Sequence, residues 1–91
     1  MEFKGTPAPW SIDELVQCSI HSGDKFIALI NDSSSFSRGE HKANAHLIAA
    51  APELLEALIK LTNYVSDDSP LRNTDEFDLA KAAITKALGQ Q

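Results

Sequence analysis

Residues 43–61 read ANAHLIAAAPELLEALIKL, the longest apolar-periodic stretch in the chain. Leu47, Ala51, Leu54, Leu58, Leu61 and Val65 are separated by four, three, four, three and four residues. That spacing holds side chains on one stripe of an α-helix. Ile48, Leu55 and Ile59 lie beside the stripe and make it wider than a bare coiled-coil seam. Glu53, Glu56, Lys60 and Asn63 fall off it and are expected in solvent, with Glu56 four residues before Lys60, the better order for a weak ion pair. Pro52 interrupts the pattern. It has no N–H to donate, and its ring disfavours helical geometry at Ala51. Either a new helix opens at Pro52, with Glu53 complementing its positive end, or one helix runs through with a kink. The reading here leans to a break, although Ala51 is a poor N-cap.

Working outward, residues 1–9 hold two prolines and a glycine and are expected to be extended, and Trp10 and Ile12 either form a short strand or plug the edge of the core. From Leu15 apolar and polar residues alternate. Val16, Cys18 and Ile20 point one way, and Gln17, Ser19 and His21 the other. Ser22-Gly23-Asp24 is a turn, and Lys25 to Ile30 a second strand with Phe26, Ala28 and Ile30 on the face shared with Ile20. Ile27 and Leu29 make that strand apolar on both faces, which predicts a central or covered position. Residues 31–39 form a polar loop, and Ser37 with Glu40 is a capping box for a helix starting between Arg38 and Glu40. Asp67-Asp68-Ser69-Pro70 ends the Leu-rich segment. Asn73 or Thr74 opens a last helix with Phe77, Ala80, Ile84 and Ala87 or Leu88 on its apolar stripe, stopped by Gly89. The predicted fold is α+β: a β-hairpin or three-stranded antiparallel meander, then a helical hairpin.

At 91 residues the chain is read as one small domain, 1–91, with a thin core. A net charge of −5 makes nucleic-acid binding unfavourable without a local basic patch. A single cysteine excludes an intrachain disulfide and fits a reducing cytoplasm. The first ten residues, MEFKGTPAPW, lack the apolar core of a signal peptide, and no apolar run suffices to span a bilayer.

No residue pattern points to catalysis, a metal or a cofactor. His41 and His46 are five apart and turn to different helix faces, unlike the four-residue spacing of a zinc pair. Cys18 and His21, three apart on a strand, point to opposite faces, so they do not make a nucleophile and base. The serines at 33, 34, 35 and 37 lack the flanking glycines of a nucleophile elbow. Three candidate surfaces stand out. Ser37, Arg38, Gly39, His41 and Lys42 put free N–H groups and cations at a helix start, a candidate anion or nucleotide site opposed by Glu40. The acidic run from Asp67 to Asp78 is a candidate DNA mimic, though a short one. Ile27, Leu29, Leu55, Ile59 and Leu61 exceed what so small a chain can cover, and form a candidate interface, with a two-fold dimer favoured. Asn44, near the apolar face between two alanines, is read as a buried polar group that sets packing register.

Thr6, Pro7, Pro9 and Trp10, followed by Ala43, Asn44, Ala45 and the run Leu47 to Leu58, resemble a family of small tailed-phage and prophage proteins. The resemblance covers the start and middle of the chain, not residues 13–36 or 66–91. It implies a phage accessory protein acting in the bacterial cytoplasm. Together these readings predict a non-enzymatic, oligomeric module whose partner is a host or phage protein. A nucleotide-sequestering protein and an acidic DNA mimic are the alternatives.

Overall fold

The computed structural model describes residues 3–13, 19–29 and 38–90. In chain order these form β1 (Ser11–Asp13), β2 (Ser19–Ser22), β3 (Lys25–Leu29), α1 (Arg38–Tyr64), a 3-10 turn (Pro70–Asn73) and α2 (Asp75–Ala87). Strands precede helices, so the fold is α+β, as the patterning predicts. The chain groups into two compact units. Lys4–Glu53 holds the sheet and the first half of α1, and the residues from Leu54 on hold the rest of α1, the turn and α2.

The sheet is antiparallel with order β1-β2-β3. The central strand is therefore β2, so of the two positions that the apolar faces of β3 suggest, central or covered, the central one does not occur. The short strand around Ile12 occupies the far side of β2 and leaves β3 at an edge. Ser22 pairs with Lys25 across a two-residue loop, Gly23-Asp24. Gly23 has φ +58°, a left-handed value that a Cβ would strain.

Ile20 pairs with Ala28, but the next pair is His21 with Phe26, so Ile27 is an extra residue in β3. That bulge reverses the alternation beyond it. Ala28 shares the face of Ile20 as expected, and Ile20 is fully buried. Phe26 moves to the face of His21, where the two rings meet edge to face at 5.4 Å, and it stays 61% exposed. The expectation that Phe26 lies beside Ile20 fails for this reason. Val16, Cys18 and Ile30, the other residues of that expected face, lie outside the described residues.

α1 is a single helix of 27 residues with Pro52 inside it. The break favoured from the sequence does not occur. In the second unit, Thr74 caps α2 as anticipated, its hydroxyl accepting from the Phe77 N–H at 3.2 Å, with Asp75, Glu76 and Asp78 in the first turn. Past the other end, Gly89 (φ +74°) lets the N–H of Gln90 reach the Thr85 carbonyl at 2.9 Å and its own N–H reach that of Lys86 at 3.1 Å. Those two bonds satisfy carbonyls that a helix end leaves open. Ile84 is buried, with Phe77, Ala80 and Leu88 half-buried, as the spacing predicts.

The C-terminal end of α1 has no basic residue in its last turn. Arg72 takes that role from the 3-10 turn. Its Nε donates to the Ser66 carbonyl and its Nη2 to the Val65 carbonyl, both at 2.9 Å, while the guanidinium stands 5.3 Å from the Phe77 ring centre. One planar group thus joins the end of α1 to the start of α2. Its ion pair with Asp67, at 3.3 Å, is exposed and adds little.

Two outcomes follow for stability in urea unfolding. Gly23→Ala is expected to destabilise by about 1–2 kcal/mol, because alanine meets no clash there but must hold a left-handed φ. Arg72→Met is expected to destabilise by about 2 kcal/mol through the two lost charged hydrogen bonds, and Asp67→Ala by less than about 0.5 kcal/mol. Equal effects at 72 and 67 would show that the ion pair, not the carbonyl capping, holds the turn.

Candidate functional site

α1 displays three different faces. On one, His41, Ala45, Ala49, Pro52 and Thr62 are buried, and Ile48, Leu55 and Ile59 are half-buried. From His41 through Ala45, Ile48, Pro52, Leu55 and Ile59 to Thr62 the steps are again four and three, so this stripe is as regular as the one read from the leucines. Thr62 donates to the Ile59 carbonyl at 2.9 Å, which lets a hydroxyl sit there.

The leucine seam lies elsewhere, roughly 130° round the helix at 3.6 residues per turn. Leu47 is 63% exposed, Leu54 53% and Leu61 63%, one every seventh residue. Ala51 is exposed, and Leu58 and Val65 are half-buried. The seam expected to face the core is thus the outward one. Fully buried Ala45 and nearly buried Ala49 lie on the inward stripe, where a small side chain leaves room for close packing. The candidate interface divides accordingly. Leu55 and Ile59 belong to the covered stripe, Leu61 to the open seam, Ile27 is half-buried in the bulge, and Leu29 is 49% exposed at the sheet edge. Asn44 is exposed rather than buried, seven residues before Ala51 on the margin of the seam.

The third face, confined to the first unit, is His46, Ala49, Ala50 and Glu53, at spacing i, i+3, i+4, i+7. With Trp10 and Ile12 it lines an open groove of about 570 Å³. The two alanines leave the space between His46 and Glu53 empty. The Trp10 ring is held by its Nε1–H, which donates to the Thr6 carbonyl at 3.1 Å. Residue patterning alone misses this groove, because Trp10 is remote in sequence. The helical spacing of His46 to Glu53 was its one visible sign. Glu56, the next acid on the helix, is bound to Lys60 at 2.8 Å, and the Lys60 hydrogen bond and charge hold its carboxyl below the ordinary carboxylate range. Glu53 has no such partner among the described residues.

The polar candidates are more dispersed. Ser37 lies outside the described residues. Gly39 and Lys42 are exposed at the start of α1, whose first residue is Arg38, but His41 is 7% exposed and does not stand with Lys42 at the surface. Cys18 lies outside the described residues as well. His21 instead makes a 2.7 Å hydrogen bond through Nε2 with Ser19 Oγ, two residues away on the same face. A serine and histidine at that distance resemble a nucleophile and its base, but Ser19 is only 1% exposed, so no substrate reaches its oxygen. Asp67, Asp68, Asp75, Glu76 and Asp78 are all exposed. Among the described residues no three His, Cys, Asp or Glu side chains group as metal ligands, and no helix is long and apolar enough to cross a membrane.

No curated protein and no solved structure matches the chain. A family model described as Salmonella phage P22 protein Y8K6 matches residues 1–91, including the stretches that the phage resemblance did not cover. Trp10 of the first motif block from which that resemblance was read, and Ala49, Ala50 and Glu53 of the second, are among the residues that line the groove. The chain belongs to the phage protein family of the Salmonella phage P22 protein Y8K6.

Proposed function

We propose that the protein is a non-enzymatic phage accessory module that works by binding protein in the bacterial host cytoplasm, and that it does so as a dimer paired through the leucine seam of α1. The observation that carries this reading is the row of Leu47, Leu54 and Leu61, each more than half exposed and seven residues apart. Heptad-spaced leucines pair best with the same surface on a second copy, where each side chain enters a hole between four others. Covering the exposed half of six leucines contributes roughly 6 kcal/mol. The leucine row from Leu47 to Leu61 runs about 21 Å along the helix and buries on the order of 1,000 Å² in total, the lower bound of a specific interface. That gain is below the roughly 8 kcal/mol of micromolar binding even before the entropy of association, so the pairing is weak and shows at high protein concentration. Asn44, the polar residue at the edge of the seam, favours one register when two copies meet.

The non-enzymatic reading is supported by the burial of Ser19, which keeps the Ser19–His21 pair away from a substrate. The anion-site alternative is less well supported, because His41 is turned inward at the helix start.

Sedimentation over a range from about 1 to 300 µM is the test. The expected result is a rise from the 9.9 kDa chain mass to twice that value, and a constant 9.9 kDa for Leu54→Glu/Leu61→Glu at unchanged helix content. A wild-type chain that stays at 9.9 kDa throughout removes the dimer from this function.

A further inference from the structure

We infer that the groove between Trp10 and Glu53 is a binding site for an arginine side chain presented by a partner protein. The site lies on a different face of α1 from the leucine seam, and the inference names the chemistry of the partner that the binding-module reading leaves open. Four observations converge on it. The groove has about 570 Å³ of open volume, ample for one long side chain and its flanking backbone. One side is lined by half-buried Trp10, whose N–H is already used by the Thr6 carbonyl, so the indole has only apolar and π contacts left to offer a ligand. The floor is Ala49 and Ala50, which contribute no polar group. The far end holds Glu53, an acid that makes no ion pair or hydrogen bond among the described residues and lies two turns, about 10.5 Å along the helix, beyond His46.

A π face followed by an unpaired carboxylate selects a cation that is flat and can hydrogen-bond sideways. Guanidinium meets both demands, since it stacks on an indole and offers a fork of N–H donors to a carboxylate. An ammonium group meets the second demand and gains less from the first. An anionic ligand is repelled by Glu53, and a purely apolar one leaves that carboxylate desolvated without a partner. The net charge of −5 attracts basic segments to the whole surface at long range.

The protein provides its own probe, because Trp10 is its only tryptophan. Its emission is followed while the full chain is titrated with acetyl-Ala-Arg-Ala-amide, with the lysine peptide, and with the peptide carrying citrulline, which keeps the shape of arginine and lacks its charge. The expected result is a saturable change with the arginine peptide, at a midpoint about tenfold lower than with citrulline and with lysine in between. Glu53→Gln is expected to raise the arginine midpoint about tenfold and erase the preference over citrulline, whereas Glu56→Gln leaves it unchanged because Glu56 is held by Lys60 outside the groove. A linear response to the arginine peptide, equal midpoints for arginine and citrulline, or no effect of Glu53→Gln overturns the inference. The titration reads the groove whether the protein is a monomer or a dimer, so its failure and the failure of the seam are separate results.

Discussion

The fold hangs on α1 staying in phase through Pro52. An interior proline removes a backbone hydrogen bond and crowds the preceding turn, with a penalty of about 3 kcal/mol. The helix nonetheless runs from Arg38 to Tyr64. Pro52 is itself buried and sits at the expected step of the inner stripe, four residues after Ile48 and three before Leu55. The proline ring is an apolar side chain in the right place. Its burial, with Ala45 and Ala49 before it and Leu55 and Ile59 after it, offsets the lost bond. Because the phase is kept, the buried residues before and after Pro52 fall on the same four-three spacing.

Choosing that stripe leaves two other faces open, and the proposed activities come from what is left. The inner stripe is built of small or modest side chains, so it packs closely and uses little of the apolar volume on the helix. The leucines, which have most to gain from burial, remain outside at seven-residue intervals. On the third side, two alanines hollow out the space that Trp10 borders. A helix with one core face, one pairing face and one groove face suits a small protein that acts by contact. The polar pairs that elsewhere suggest chemistry are absorbed locally here: Ser19 with His21, Glu56 with Lys60, and Arg72 with the last carbonyls beyond α1.

Much of this was legible before any coordinates. Alternation around Ser19 to His21, the glycine turn at 23, the threonine cap at 74 and the glycine stop at 89 are short-range signals. Each depends on residues within a few positions, so the local chain settles them. The errors have a common origin. Both the leucine row and the row through His41, Ala45 and Ile48 obey the same four-three rule, and periodicity measures regularity, not inwardness. Likewise Phe26 alternates correctly with Ala28, and only the bulge at Ile27, formed by pairing with another strand, turns it away from Ile20.

The sequence by itself therefore determined the order of elements, the α+β class, the two ends of α2 and the membership of a phage family, because propensity, capping and motif are carried by neighbouring residues. The tertiary structure alone decided which apolar face of α1 is buried, that the helix survives its proline, that β2 rather than β3 is central, and that Trp10 and Glu53 line one groove. Those outcomes depend on close packing between segments far apart in the chain. There the size of an alanine or one extra residue in a strand outweighs any local preference.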